Sequence, residues 1–312
     1  MITVLGAGVA GLCAATALAE QGMTVEVVTP ADAPDPVSGL AGGMLAPFCE
    51  GDGADPLVTR RGQQSIAWWS ARVGSFQPRG TLVLAAARDR AELDRFARAT
   101  HNHRAVRPDD LEPDLSGRFA RGLFFADEGH LDPAEAMASL RSRLTTRGVR
   151  FHHGPHTGSR IVDCRGWSAR ADLPDLRGVR GEMLELFAPQ VALTRTIRLL
   201  HPRFPCYIVP RGQHRYMIGA TMVETADGGP ITARALMELL SAAYAVHPGF
   251  AEARLIHGGA GLRPAFPDNI PALRRAGDRI HMNGMHRHGF LMAPVLATDL
   301  AQQLCQEVIH AN

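Results

Sequence analysis

The chain has 312 residues, 46% of them hydrophobic, which is enough to bury a core in one large domain or two coupled ones. Its 33 basic and 31 acidic residues nearly cancel, to +2, so there is no electrostatic excess for nucleic acid or an anionic membrane, and small molecules are the expected partners. All the basic residues are arginine, and the absence of lysine removes Schiff-base, pyridoxal-phosphate and P-loop chemistry.

The first element, Ile2-Thr3-Val4-Leu5, is a short apolar run with β propensity. Gly6-Ala7-Gly8-Val9-Ala10-Gly11 follows it, then a helical pattern to about Gly22 and a second apolar run from Thr24 to Val28. Glycines at 6 and 8 permit a tight turn against a pyrophosphate, and Gly11 lets helix and strand pack closely. The helix N-terminus, with Val9 and Ala10, attracts the phosphate charge. The alternative is a glycine-rich turn with no ligand. The uncharged stretch 2–19 lacks a basic leader, so it reads as part of a soluble fold rather than a signal or membrane segment. Thr29 ends the second strand where an acidic side chain usually holds the adenosine ribose; Glu26 lies inside the strand and Asp32 past it. A threonine hydroxyl is a weaker acceptor, so loose cofactor binding is expected.

Pro34, Pro36 and the Gly/Asp-rich stretch Glu50 to Asp55 mark loops. Helices are expected over Arg61–Val73, Arg88–Thr100, Pro133–Arg147 behind Asp132, Thr232–Val246, and about Gly289–Val308. Extended segments are Thr81–Ala85, Val149–His152, Ile161–Ser168, Glu182–Phe187, Tyr207–Val209, Tyr216–Ile218 and Ala253–Leu262. The expected fold is α/β: a Rossmann-like dinucleotide domain (1–75, 130–180 and 258–312) interleaved with an α+β substrate domain on a mixed or antiparallel sheet (76–129 and 181–257). Cys13, Cys49, Cys164, Cys206 and Cys305 are an odd count with no CxxC pair, which favours a reducing cytoplasm over a disulfide framework or zinc ribbon. The oligomeric state is left open, a homo-oligomer included.

Besides the N-terminal turn, four segments occur in compatible order: Ser38-Gly39-Leu40-Ala41-Gly42-Gly43-Met44-Leu45-Ala46-Pro47; Cys206-Tyr207-Ile208-Val209-Pro210-Arg211 running on to Gly219-Ala220-Thr221-Met222; Ala260-Gly261-Leu262-Arg263-Pro264; and Arg287-His288-Gly289-Phe290-Leu291-Met292-Ala293-Pro294. With them the chain resembles the glycine oxidase branch of the D-amino-acid oxidase superfamily, the branch tied to thiamine biosynthesis. The resemblance implies non-covalent FAD passing Gly42, Gly43, Met44 and Leu45, with Gly166 near it. It makes Arg263 a bidentate clamp on the substrate carboxylate and Tyr207 a donor to the same carboxylate. Met222 falls beside flavin and substrate, and Arg287, His288, Gly289, Phe290 and Leu291 at the flavin edge, where a helix N-terminus stabilises the anionic reduced ring. The alternatives that the residues leave open are Arg263 as a structural ion-pair partner for an acidic side chain such as Asp268, Tyr207 as a core strand aromatic and Met222 as core packing.

Departures from the family pattern are Met285 and His288 in Gly284-Met285-His286-Arg287-His288-Gly289, Pro202 where some members have a tyrosine, and Cys164 and Arg165 in place of small residues. A short connection between Arg150 and Ile161 stands where the family inserts a β-meander, so the chain looks like a shortened member. Cys206 adjoins Tyr207 in the glycine oxidase register, not that of the covalently flavinylated sarcosine oxidases. His286 and His288 have no acidic or cysteine ligand beside them in sequence, so no metal is expected. The implied reaction is oxidation of glycine or another small amino acid or amine by hydride transfer to flavin N5, with dioxygen giving hydrogen peroxide and the imine hydrolysing or feeding thiamine thiazole assembly. A dehydrogenase using another electron acceptor and a degenerate flavin-binding protein remain as alternatives.

Overall fold

In the computed structural model the described residues are 1–31, 33, 35–201 and 206–311; Asp32, Pro34 and Pro202, which entered the reading of the sequence, lie outside them. Two large sheets organise these residues. The first has six strands in the order Ala272–Ala276, Arg279–Asn283, Arg160–Asp163, Ile2–Leu5, Val25–Thr29, Arg150–His153. All neighbours are parallel except the first pair. Ile2–Leu5 sits inside the sheet and contributes Val4 to a core shared with Leu12, Ala14 and Leu18 of the Val9–Glu20 helix and Ala293, Ala297 and Leu300 of the Gly289–Ala311 helix. Near-continuous burial of Ile2–Leu5 and Val25–Thr29 explains why these strands read as apolar runs rather than alternating patterns.

The second sheet has nine strands. Along its main path they are Val223–Glu224, Arg177–Phe187, Arg215–Gly219, Cys206–Pro210, Thr196–Leu200, Thr81–Ala85, Gly122–Phe125 and Arg104–Val106, while Arg254–Ala265 pairs with Arg177–Phe187. It is antiparallel except where Thr81–Ala85 runs parallel to Thr196–Leu200. In the long pair Val179 stands opposite Arg263 and Gly181 opposite Gly261. The domain limits drawn from sequence at 180/181 and 257/258 fall inside these two strands.

Helix starts follow their caps. The Asp132 side chain accepts from the amides of Ala134 and Glu135 with Pro133 behind it, and Thr232 accepts from the Ala235 amide. The helix expected from Arg61 begins five residues earlier, at Pro56, because Asp55 caps it through the Leu57 amide. The expected strand Ile161–Ser168 is shorter than read: it ends at Asp163, whose carboxylate takes the Arg165 amide and side chain, and the chain turns into a 3-10 helix over Gly166–Ala169. The short connection after Arg150–His153 is tied down by Glu26, a fully buried side chain. Its carboxylate accepts from the Thr3 hydroxyl (2.6 Å), the Thr157 amide (2.8 Å) and the Gly158 amide (3.1 Å). Among the described residues no helix is long and apolar enough to cross a membrane.

Candidate active site

The N-terminal turn is built as its glycines require. Gly6 has φ +96°, in the region that disfavours side chains, and a Cβ on Gly11 would stand 1.9 Å from the Gly6 carbonyl oxygen. Those two residues shape the turn without facing the cavity beyond it; Gly8, Val9 and Ala10 line that cavity, whose volume is about 210 Å³. The Val9 amide donates to the Ser38 hydroxyl (3.1 Å), which joins the turn to the next wall, Gly42, Gly43 and Met44. Leu45 points away, fully buried in the core, and Thr29 lies off the cavity with its carbonyl accepting from His153 Nδ1. Gly166 closes one side and Arg287 to Leu291 another, where the Gly289–Ala311 helix begins.

Charged groups also line the cavity. Glu50, read from sequence only as part of a loop, is at their centre. Its Oε1 accepts from the Tyr207 hydroxyl (2.6 Å), Oε2 lies 3.1 Å from Arg287 Nε, and Arg198 Nη1 is 3.9 Å away. Burial pushes the Glu50 pKa up, but the charges of Arg287 and Arg198 and the tyrosine hydrogen bond more than reverse it, down to about 2. The carboxylate is therefore ionised at neutral pH. The expectation that Tyr207 donates to a substrate carboxylate needs correcting here: its single proton is directed at Glu50, which leaves the phenol oxygen as an acceptor. Burial pushes the phenol pKa well above its ordinary value, so the proton stays on.

Arg263 behaves differently. Its Nη1 donates to the Thr221 carbonyl (3.0 Å), and among the described residues no carboxylate lies at ion-pair distance. The alternative pairing with Asp268 does not form; that side chain accepts from the Ile270 amide. Burial, aided by repulsion from Arg287, lowers the Arg263 pKa to about 10, still charged at neutral pH. The guanidinium lies across the backbone of Gly181, where a Cβ would be 2.1 Å from Cζ. Met222 lines the mouth of the cavity and is 47% exposed, so it is not core packing.

His286 also lines the cavity, with both ring nitrogens buried and unpartnered. Burial lowers its pKa to about 3, and that of His288 to about 4, so both rings are neutral at pH 7. Among the described residues no group of three or more metal-ligating side chains is placed to hold an ion. Cys206 is buried in the core of the nine-stranded sheet and does not line the cavity. Glu50 and Arg198 are the two residues that the sequence reading missed. A glutamate in a Gly/Asp-rich stretch reads as solvated, and an arginine in Thr196–Leu200 hides in a strand that was not expected. Unpaired, Arg198 would be costly there, which was the one available clue.

The site is apolar with few polar groups, formed where the two sheets meet. It offers a helix N-terminus for phosphate and unpartnered buried nitrogens, of His286 and of Arg287 Nη2, that suit the acceptor atoms of a flavin ring. The family model "FAD dependent oxidoreductase" (DAO) matches residues 1–303. The chain is 50% identical over 316 aligned positions to the "Putative thiamine biosynthesis oxidoreductase ThiO" of Rhizobium etli, covering 98% of this chain and 97% of that one. Its fold is similar to that of iminodiacetate oxidase from Chelativorans sp. BNC1 (TM-score 0.83, 23% identity, 98% of this chain and 95% of the other). It is likewise similar to that of glycine oxidase from Geobacillus kaustophilus (TM-score 0.80, 22% identity, 97% and 94%). Sequence, fold and cavity agree, and the chain belongs to the DAO family of FAD-dependent oxidoreductases.

Proposed function

We propose that the protein oxidises glycine or another small amino acid or amine, with FAD bound non-covalently. One observation carries the substrate class: Arg263 is a charged guanidinium, partly buried in the cavity wall, with no carboxylate partner among the described residues. A charge so placed is destabilising unless a ligand completes it, and a carboxylate matches its fork. Tyr207, held as an acceptor by Glu50, suits the amine N–H of the same molecule, so carboxylate and amine are held at two points and the Cα–H direction is fixed. The domain assignment supports this reading, since all six strands of the first sheet fall in 1–75, 130–180 and 258–312, the cofactor side.

Gly8, Val9 and Ala10 would hold the pyrophosphate; Gly42, Gly43 and Met44 would flank the ring, with the helix start at Gly289 and the His286 and Arg287 nitrogens at its polar edge. FAD bound there would supply a two-electron acceptor for the Cα hydride, with dioxygen as the final oxidant, reduced by those two electrons and two protons to hydrogen peroxide. The substrate nitrogen loses a proton as the C=N bond forms, and water then hydrolyses the imine to a keto acid and ammonia. No side-chain base is required once the amine is neutral. A role for the product in thiamine thiazole synthesis rests on the 50% identity to a protein named for that pathway.

The test is the visible spectrum of the purified protein, followed by anaerobic addition of glycine, sarcosine and small D-amino acids. Bleaching by one of them, recovery in air with peroxide, and release of flavin by acid precipitation are expected. A flavoprotein bleached by none of them contradicts the substrate reading. Bleaching that air does not reverse points to another electron acceptor.

A further inference from the structure

Glu128 takes no part in the reaction as described, yet it is a carboxyl group with 1% of its surface exposed. It stands just before Gly129–His130, which pairs with Met44–Leu45 of the flavin-side wall. Its Oε1 accepts from the amides of Phe48 (2.9 Å) and Cys49 (2.7 Å), the residues that open the 3-10 turn carrying Glu50. Its Oε2 is buried without a partner, and the Thr81 hydroxyl lies against the group. Burial pushes the Glu128 pKa up to about 8, so at neutral pH it is mainly uncharged and Glu50 remains the anion of this wall.

We propose that Glu128 is a positioning residue for the oxidation: its two hydrogen bonds set the turn on which Glu50 stands, and through Glu50 they set where Tyr207 and Arg287 meet the substrate. The bonds reach 80 and 79 residues along the chain and tie to the Gly129–His130 side a turn that is otherwise held by the local Glu50 N–H to Ala46 and Gly51 N–H to Phe48 bonds and by Arg198 on the Cys49 carbonyl. Glu50 in turn is the only described acceptor of the Tyr207 proton and the ion-pair partner of Arg287. A shift of about 1 Å in such a group costs up to about a hundredfold in rate. The inference rests on the amino-acid oxidation reading and assigns one more residue to that site.

The experiment is anaerobic bleaching of the FAD-loaded protein by glycine, which reads an apparent Kd and a limiting rate per loaded molecule. These are quantities that a loss of folded protein alone does not move. Glu128→Leu removes the acceptor and should lower the limiting rate or raise Kd by about tenfold. Glu128→Asp, one methylene short, should lose about threefold, and Glu128→Gln, which keeps an oxygen acceptor, should rescue to within about twofold. In a Glu50→Gln background the Leu substitution should add little, because both act on one group. Wild-type bleaching by Glu128→Leu, or an undiminished further loss in the Glu50→Gln background, overturns the proposal. If Glu128→Leu yields no flavoprotein, the Asp and Gln variants decide, and equal behaviour of the two overturns it. If wild-type protein carries flavin but neither glycine nor another small amine bleaches it, the oxidation reading has failed and this inference fails with it; if another amine bleaches it, that amine replaces glycine in the assay. Normal wild-type bleaching with unaffected variants sinks the Glu128 role alone.

Discussion

Glu26, fully buried, and Glu50, with 13% of its side chain exposed, are both carboxylates held far below their ordinary pKa, at about 2, and the difference lies in what holds them. Around Glu26, on the strand next to the edge strand of the six-stranded sheet, the closest donors are hydroxyls and amides of Thr3, Thr157 and Gly158. With His152 and Thr157 Oγ1 they occupy both oxygens. Around Glu50 the partners are two arginines and a tyrosine at the wall of the cavity. A carboxylate whose two oxygens are saturated by hydroxyl, amide and imidazole groups, with Arg150 farther off at 3.5 Å, fastens a loop. One surrounded by charges beside unpartnered groups organises a site. Low pKa alone does not separate the two roles; the neighbours do.

The largest expected effect comes from the unpaired charge on the Glu50 side. Arg263→Ala should raise KM for a carboxylate-bearing substrate by about 1.5 to 3.5 orders of magnitude, corresponding to about 2–5 kcal/mol for truncating one partner of a desolvated pair. Arg263→Lys keeps the charge and loses the fork, so its loss should be smaller. Amines lacking a carboxylate should respond little; equal losses for both substrate types would make Arg263 structural. Next comes Gly181→Ala, which places a methyl group in the volume of the guanidinium. It should cost about tenfold in KM, again only for carboxylate-bearing substrates. Unchanged kinetics would show that Arg263 can bind its substrate from another position.

Acid unfolding sharpens the comparison itself. Both glutamates have folded pKa values lowered from 4.5 to about 2, so each contributes stability that is present above about pH 4.5 and lost as pH falls through about 2. Glu26→Gln and Glu50→Gln should each flatten that acid limb in thermal melts. Only Glu50→Gln should also weaken the response of the flavin spectrum to substrate, and a kinetic defect in Glu26→Gln would erase the distinction. The smallest effect is expected at Thr29. Thr29→Glu restores an acidic end to the second strand and should tighten FAD by about three- to tenfold on equilibrium dialysis. No change would place the ribose away from Thr29.

The dinucleotide turn was readable because its logic is local: Gly6, Gly8 and Gly11 satisfy constraints set within a few residues of one another. Thr232–Val246 and Pro133–Arg147 were readable for the same reason, having caps and periodicity in one window. Strands such as Gly122–Phe125 and Arg279–Asn283 were missed although they are no shorter than Ile2–Leu5 or Thr81–Ala85, which were read; their sheet partners define them. Arg263 and Tyr207 were identified through family resemblance, whereas Glu50 and Arg198 had no motif to mark them. The partners of Glu50 lie 148, 157 and 237 residues away along the chain, counted from Arg198, Tyr207 and Arg287.

By itself the sequence determined the cofactor half: an apolar strand, a turn that only glycines can make, and a helix whose N-terminus favours phosphate. These follow from steric and dipole effects that act over one turn of chain. The tertiary structure alone decided which buried charges compensate one another and which is left for a ligand. Glu50 neutralises Arg287 and orients Tyr207, and Arg263 remains open. That outcome depends on distances of a few ångströms between segments far apart in the chain. Electrostatic energy in a low-dielectric interior varies steeply over that range, and sequence order carries no measure of it.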